Sequence, residues 1–314
     1  MFTKPGYHIG DTWYFVQSNK AHMFYLTCPL LVPRHTRWSI GHAVSQNLVD
    51  WEDHGIVIEP GNQSSWDGIC PATGSVTAFA GRYYMAYTGN FAGPIPAVGF
   101  AVSDDLNTWE KCPGNPVTTI NPKYYSDTPN LAWNQPRWRD PFLHQEQGKI
   151  YQLVTAAKLD APEETAGTVA VACSLDMKQW EMLLPLEIPA LGQDLECPKL
   201  TKVGALYYLT ISVSDPIAGP EFRNLQPKGL PIATAYSLVS ESFSGPYTLH
   251  GTGRILEDNS WGAPYACEPV LFRGRYFLLG TVWSDETCDS VCNPIPIIAT
   301  EEGFKAEKGH LGDA

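Results

Sequence analysis

The chain has 314 residues and a formal net charge of −12, an acidic balance that argues against nucleic acid or an anionic membrane surface as partner and leaves a neutral polyol as the better fit. No apolar run approaches the roughly 20 residues needed to cross a bilayer. The start, MFTKPGYHIGDTW, lacks a basic head followed by an apolar core, so the expected location is cytoplasmic, or secreted if a leader has been trimmed.

In chain order the elements repeat one plan. Residues 1–10 form a short lead-in, a candidate outer strand that helps close a ring. Asp11 then precedes two apolar runs, TWYFV and HMFYLT, joined by the polar turn from Ser18 to Lys20, and GHAVS and DWEDHG lead to the Pro60-Gly61 break. The second unit opens at WDGICPATGSV with Asp67, continues through GRYYMAYTGN and SDDLNTWEK, and ends in the loop CPGNP. A connection from Thr118 to Arg137, carrying Pro122, Pro129 and Pro136, has no evident structure of its own and reads as a functional loop that walls a pocket. The third unit, WRDPFLHQEQGKIYQLVTA, carries Arg139 and Asp140 and ends near Pro189. Glu196 opens the fourth in LECPKL, which holds a Pro- and Gly-rich insertion around 214–231, a second candidate rim loop. The fifth opens at ACEPVLF with Glu268 and runs out through PIPIIATEEGF.

One strand phrase recurs as KAHMFYLT, GRYYMAYT, GKIYQLVT, GALYYLTI and GRYFLLGT, and one acid precedes each copy: Asp11, Asp67, Asp140, Glu196 and Glu268. A second phrase returns as SQNLVDWED, SDDLNTWEK and SLDMKQWEM, with a degenerate fourth in SESFSGPYTL. Five near-equal repeats of antiparallel strands predict an all-β, single-domain, five-bladed β-propeller with blades at roughly 11–60, 67–120, 140–190, 196–258 and 268–305. The first strand of each blade lines the channel, so five acids at equivalent positions face a common centre. A lone acid at a strand start more often caps a turn, but several at one channel mouth repel, and at least one then keeps its proton beside an ionised neighbour. Glycoside hydrolysis uses that pairing.

Trp51, Trp109 and Trp180 recur in the second phrase and read as blade-packing residues. Trp13, Trp66, Trp133, Trp138 and Trp261 lie beside the acids or on rim loops, where an indole face stacks on a sugar. Trp13, Trp66 and Trp138 therefore join Asp67 and Glu268 as candidate substrate contacts. His8 and His22 are single histidines in strand contexts and read as structural. The eight cysteines are expected as buried free thiols, and CDSVC at 288–292 lacks the second Cys or His pair that zinc would need. Asn62-Gln63-Ser64 fits a glycosylation sequon, which matters only in a secreted chain.

RDP at 139–141 and ECP at 196–198 stand in order with HMFYL, SQNLVDWE, GSV at 74–76, YTGN at 87–90, GNPV at 114–117 and AP at 263–264. This set resembles glycoside hydrolase family 32, the invertase, levanase and inulinase family, over residues 8–290. The resemblance implies a five-bladed propeller that cleaves β-fructofuranosidic bonds in sucrose or fructans with retention. It implies Asp11 as nucleophile, Asp140 as transition-state stabiliser with Arg139 holding the same ring, Glu196 as general acid/base, a carbohydrate substrate, and neither metal nor organic cofactor. Departures are specific. The family's Asn-Asp-Pro-Asn-Gly run is Ile9-Gly10-Asp11-Thr12-Trp13 here, the Gln that closes its HLFYQ strand is lost in Leu26-Thr27, and the β-sandwich that typically follows its propeller is not expected. GDTWYF is also similar to the inverting arabinanase and xylosidase propellers of family 43, which keeps an inverting hydrolase of arabinose-containing glycans, or a non-catalytic carbohydrate-binding propeller, as alternatives.

Overall fold

The polar turns between the recurring apolar runs are two-residue hairpins, closed by Gln17 with Lys20, Phe79 with Arg82, Glu146 with Lys149, Val203 with Leu206 and Phe272 with Arg275. Such a turn matches the twist of its strands when both central residues take positive φ, which favours Gly at the second. Gly81, Gly148 and Gly274 occupy that place with φ of 82°, 75° and 79°, and this requirement writes the recurring Gly into the sequence. The computed structural model describes residues 1–33, 36–89, 96–282 and 289–307. Asn90 of the YTGN run and Cys288 of CDSVC lie outside them.

Five antiparallel sheets follow in chain order as the blades of the propeller. Blade 1 holds Tyr7–Gln17, Lys20–Pro29, Ser39–Ser45 and Trp51–Ile58. Blade 2 holds Pro71–Phe79, Arg82–Gly89, Ala97–Ser103 and Glu110–Lys111, with Thr118–Thr119 also pairing its third strand. Blade 3 is Arg139–Glu146, Lys149–Ala157, Gly167–Ser174 and Glu181–Met182. Blade 4 has Glu196–Val203, Leu206–Val213 and Thr234–Ser240, and blade 5 has Tyr265–Phe272, Arg275–Val282, Ile295–Thr300 and Gly303–Ala306, with Ser290–Val291 pairing its second strand. The lead-in meets the last blade through a bridge between Phe2 and Val291, so the two ends of the ring are stitched together. The insertion in blade 4 folds into a short helix, Pro220–Leu225. No helix among the described residues is long and apolar enough to cross a membrane, and the seven described cysteines are free thiols.

The second recurring phrase builds one corner three times, between the third and fourth strands of blades 1 to 3. Ser45, Ser103 and Ser174 accept the N–H of Leu48, Leu106 and Met177 at 2.8, 2.9 and 3.0 Å. Those three residues take φ of 66°, 67° and 63°. The indole N–H of Trp51, Trp109 and Trp180 then donates to the carbonyl three residues back, at 3.1, 3.0 and 3.3 Å. The phrase is thus a turn device that locks each outer strand by its own tryptophan.

Apolar clusters fill the seams between blades. Trp13 is fully buried and stacks on Phe24 in the blade 1 and 2 cluster, and Trp138 is fully buried in the blade 2 and 3 cluster against Tyr125. The Trp138 indole N–H donates to Thr118 at 3.3 Å. Replacing either Trp13 or Trp138 with Ala leaves a large cavity and is expected to cost about 3–5 kcal/mol of stability, read as a lowered midpoint in denaturant unfolding.

Candidate active site

In every blade the innermost strand breaks register once with its neighbour. The breaks fall between Ile9 and Thr12, Ala72 and Gly74, Arg139 and Phe142, Glu196 and Lys199, and Tyr265 and Glu268. Such bulges bend the strand and re-aim side chains. Asp140, Cys197 and Ala266 take φ of 60°, 50° and 49° within them, a left-handed conformation that non-glycine residues hold only when their surroundings enforce it.

A hydroxyl stands at the equivalent place on the second strand of every blade, for Ile9, Ala72, Arg139, Glu196 and Tyr265 pair with Thr27, Thr88, Thr155, Ser212 and Thr281. Thr88 accepts the Asp140 N–H at 2.9 Å while donating to the Thr73 carbonyl at 3.2 Å. Thr155 donates to Asp140 Oδ2 at 3.0 Å and to the Leu195 carbonyl at 3.1 Å, and Thr281 donates to the Gly10 carbonyl at 2.7 Å. The Asp140 N–H and the Thr73 and Gly10 carbonyls lie within bulges, and the Leu195 carbonyl directly precedes the blade 4 strand.

Asp11, Asp140 and Glu196 meet in a cavity of about 720 Å³ at the mouth of the channel. Asp11 accepts the Thr73 hydroxyl and, at 3.7 Å, the Cys197 thiol. Asp140 Oδ2 accepts the Cys197 N–H at 3.1 Å. Donor atoms of Asp11, Asp140 and Cys197 all lie within 4.8 Å of one another. Glu196 accepts Arg139 Nη2 at 2.9 Å and the Tyr265 hydroxyl. Arg139 also reaches Asp194 at 2.5 Å and lies 5.8 Å from the Trp133 ring centre.

Asp11 turns one face to the pocket, but the walls desolvate its carboxyl. That desolvation, with Asp140 adding repulsion, pushes its pKa up to about 6 against the opposing bonds from Thr73 and Cys197. Burial likewise pushes Glu196 up to about 7, with Asp194 and Asp140 adding to it while Arg139 and Tyr265 pull it down. Burial works against the charge of Arg139, but Asp194, Glu196 and Asp140 outweigh it and hold the guanidinium firmly protonated.

The expectation of five equivalent acids is corrected. Asp140 and Asp11 sit inside their bulges, Glu196 stands just before its bulge, Glu268 just after, and Asp67 precedes the blade 2 strand altogether. Each one-residue offset turns a strand side chain to another face. Asp67 is buried in an ion pair with Lys111 at 2.5 Å and accepts the Tyr87 hydroxyl at 2.9 Å. Trp66 packs on Tyr87 and so close to the backbone of Gly89 and Gly99 that a β-carbon at either would collide with it. Glu268 pairs with Lys199 at 3.2 Å. Trp13, Trp66, Trp138, Asp67 and Glu268 are therefore not among the described residues that line the cavity. Trp261 packs against the core cluster of blades 5 and 1. Trp133 does line the cavity, together with Gln135 from the long connection and Pro231 from the insertion.

Sequence reasoning passed over Thr73, Asp194 and Tyr265. Tyr265 stands in blade 5 where Arg139 and Glu196 stand in theirs, which aligning the strands from their hairpins would reveal. Asp194 is fully buried and faces Arg137 at 3.6 Å as well as Arg139. Two arginines alternating on one strand face call for such an anion.

Residues 11–256 match the model of the glycosyl hydrolases family 32 N-terminal domain. A sucrose-6-phosphate hydrolase of Pediococcus pentosaceus is 27% identical over 233 residues, spanning 73% of this chain and 44% of that protein. Among solved structures, an inulosucrase from Halalkalicoccus jeotgali bound to kestose superimposes with a TM-score of 0.73 at 22% identity, over 96% of this chain and 87% of that one. The sucrose-6-phosphate hydrolase from Lactobacillus gasseri gives 0.69 at 20% identity, over 95% and 60%. At these identities the structures speak for the fold alone. The chain spans less than half the length of the curated relatives it matches. The family match begins at Asp11 itself and runs through RDP and ECP, taking in all three carboxyls of the cavity, and by it the chain belongs to glycosyl hydrolases family 32.

Proposed function

We propose that the chain is a retaining glycoside hydrolase that cleaves β-fructofuranosidic bonds in sucrose or fructans. The observation that carries this reading is the meeting of Asp11 and Glu196 in one cavity, where burial raises both carboxyls, Glu196 up to about 7 and Asp11 up to about 6. Ionised Asp11 attacks the anomeric carbon while Glu196 gives its proton to the departing oxygen. Glu196, now ionised, takes a proton from water as that water displaces Asp11. Asp140 and Arg139 hold ring hydroxyls, with Asp140 fixed by Thr155 and the Cys197 N–H.

The substrate favoured is unphosphorylated. Among the described lining residues Arg139 is the single cation, and Asp194 and Glu196 already engage it. Among the described lining residues a phosphate would meet three carboxyls and no cation other than Arg139. Fructose release from sucrose, inulin or levan is accordingly expected to exceed that from sucrose 6-phosphate by at least about tenfold in kcat/KM. Arabinose release from aryl arabinofuranosides, with no fructose from any fructoside, would replace this reading with the family 43-like one. The first product seen by proton NMR is expected to keep the β-configuration.

The pH profile of kcat/KM follows from the two carboxyls. It rises as Asp11 ionises near 6 and falls as Glu196 loses its proton near 7, giving a narrow bell. A plateau extending above pH 9 would contradict Glu196 as the acid.

Glu196→Gln is expected to lower kcat by about 10²–10⁴-fold, and Asp11→Asn to abolish turnover. Asp11→Asn is also expected to stabilise the fold at neutral pH. The folded pKa of Asp11 lies above its unfolded value, so the native chain loses stability as pH rises from about 4 to about 6, and the Asn variant does not. The gain is roughly 1–3 kcal/mol above pH 7 and vanishes below pH 4, as thermal unfolding at the two pH values can read.

A further inference from the structure

The Lys that follows Glu196-Cys197-Pro198 is 1% exposed, and a lysine is almost never so buried unless paired. Its ammonium lies 3.2 Å from Glu268 Oε2 and 3.4 Å from the Gly74 carbonyl, and 5.3 Å from the Phe142 ring centre. Those partners come from blades 5, 2 and 3, so the cation sits on the channel axis where four innermost strands converge. Neither Lys199 nor Glu268 lines the cavity.

We propose that Lys199 and Glu268 are positioning residues, a buried ion pair beneath the cavity floor whose positive end faces Asp11 and holds that carboxylate ready as the nucleophile. The inference rests on the catalytic role given to Asp11 above. Among the described residues, the groups that act most strongly on Asp11 are Asp140 from blade 3, Cys197 and Lys199 from blade 4 and the Thr73 hydroxyl from blade 2; Lys199 is the cation among these, and its Gly74 partner adjoins Thr73. Asp140 opposes ionisation of Asp11 and Lys199 favours it. Glu268 in turn tempers Lys199 from the far side, and it accepts the backbone N–H of Tyr14 from the Asp11 strand. Opposite ends of one ion pair should therefore move Asp11 in opposite directions, which a role in packing alone would not do.

The test compares Lys199→Met, Lys199→Arg and Glu268→Gln with the native chain, reading the acid limb of kcat/KM for sucrose hydrolysis and the titration of the Asp11 carboxyl by carbon NMR in aspartate-labelled protein. The Asp11 signal is assigned by its loss in Asp11→Asn. Lys199→Met is expected to move the limb and the titration up by about half a pH unit or more, so that kcat/KM at pH 5 falls about threefold or more with KM little changed. Glu268→Gln is expected to move both down, and Lys199→Arg to leave both near the native position. Shifts of the same sign in Lys199→Met and Glu268→Gln, or no shift in either, overturn the proposal. If Lys199→Met does not fold, an unmoved titration in Glu268→Gln overturns it alone. A native chain that cleaves no fructoside while its Asp11 titration responds as stated sinks the functional reading and spares this one, and an active chain whose titration does not respond does the reverse.

Discussion

Everything in this site depends on the irregularity built into the innermost strand of each blade. A flat ladder would point alternate side chains at the two neighbouring blades and none at the mouth of the channel. Breaking register turns Asp11 and Asp140 out of that alternation, at the expense of backbone groups that lose their ladder partners. The strand phrase that ends in Thr meets that need. Thr88, Thr155 and Thr281 reach across and bond the carbonyl and amide groups of Thr73, Asp140, Leu195 and Gly10. The hydroxyl that secures the fold is, in Thr155, also the one that orients a carboxylate.

The second constraint is electrostatic. Asp11, Asp140, Asp194 and Glu196 crowd one end of the channel, and removing four carboxyls from water is affordable only if some stay protonated or find cations. Arg139 and Arg137 serve Asp194 from one strand face, and Arg139 reaches on to Glu196. Among the described residues no arginine pairs with Asp11, and its direct bonds come from a hydroxyl and a thiol. The carboxyls therefore differ in environment rather than in type, and the proposed division into acid and nucleophile rests on that difference.

The sequence made much of the fold legible because two local devices repeat in it. The hairpin glycines at 81, 148 and 274 and the Ser-to-Trp corners ending in Trp51, Trp109 and Trp180 each encode a turn in a few adjacent residues, so their recurrence counted the blades. The candidate site was legible at Arg139, Asp140 and Glu196, which carry the words RDP and ECP, and at Asp11 from its place ahead of HMFYL, although its own context, Ile9-Gly10-Asp11-Thr12-Trp13, departs from the family run. What pattern alone could not give was phase. A bulge adds one residue without altering composition, so Asp67 and Glu268 looked equivalent to Asp140 while facing Lys111 and Lys199 instead. The tryptophans failed for a related reason. Trp138 directly precedes Arg139 and so takes the opposite face, while Trp13 stands two residues past Asp11 with the register break ending between them, and both are buried between blades.

The cavity is also divided by side. Blades 1 and 2 present Leu26, Trp38 and Ala72, and their polar lining groups, Asp11 and Thr73, are spent on each other. Blades 3 to 5 and their connections present the polar Gln135, Arg139, Asp140, Glu196, Ser214 and Tyr265, with Trp133, Pro231, Ala233 and Ala263 as apolar lining beside them. The apolar wall that raises the proton affinity of Asp11 is therefore the same wall that offers a bound sugar few hydrogen bonds. The departures from the expected family words fall on this side, at Ile9-Gly10-Asp11-Thr12-Trp13 and at Leu26-Thr27. Orientation of a sugar ring accordingly falls to the opposite side, where the polar groups are tied to one another through Arg139. Moving any of them disturbs binding and the proton balance of Glu196 together, because one guanidinium serves both.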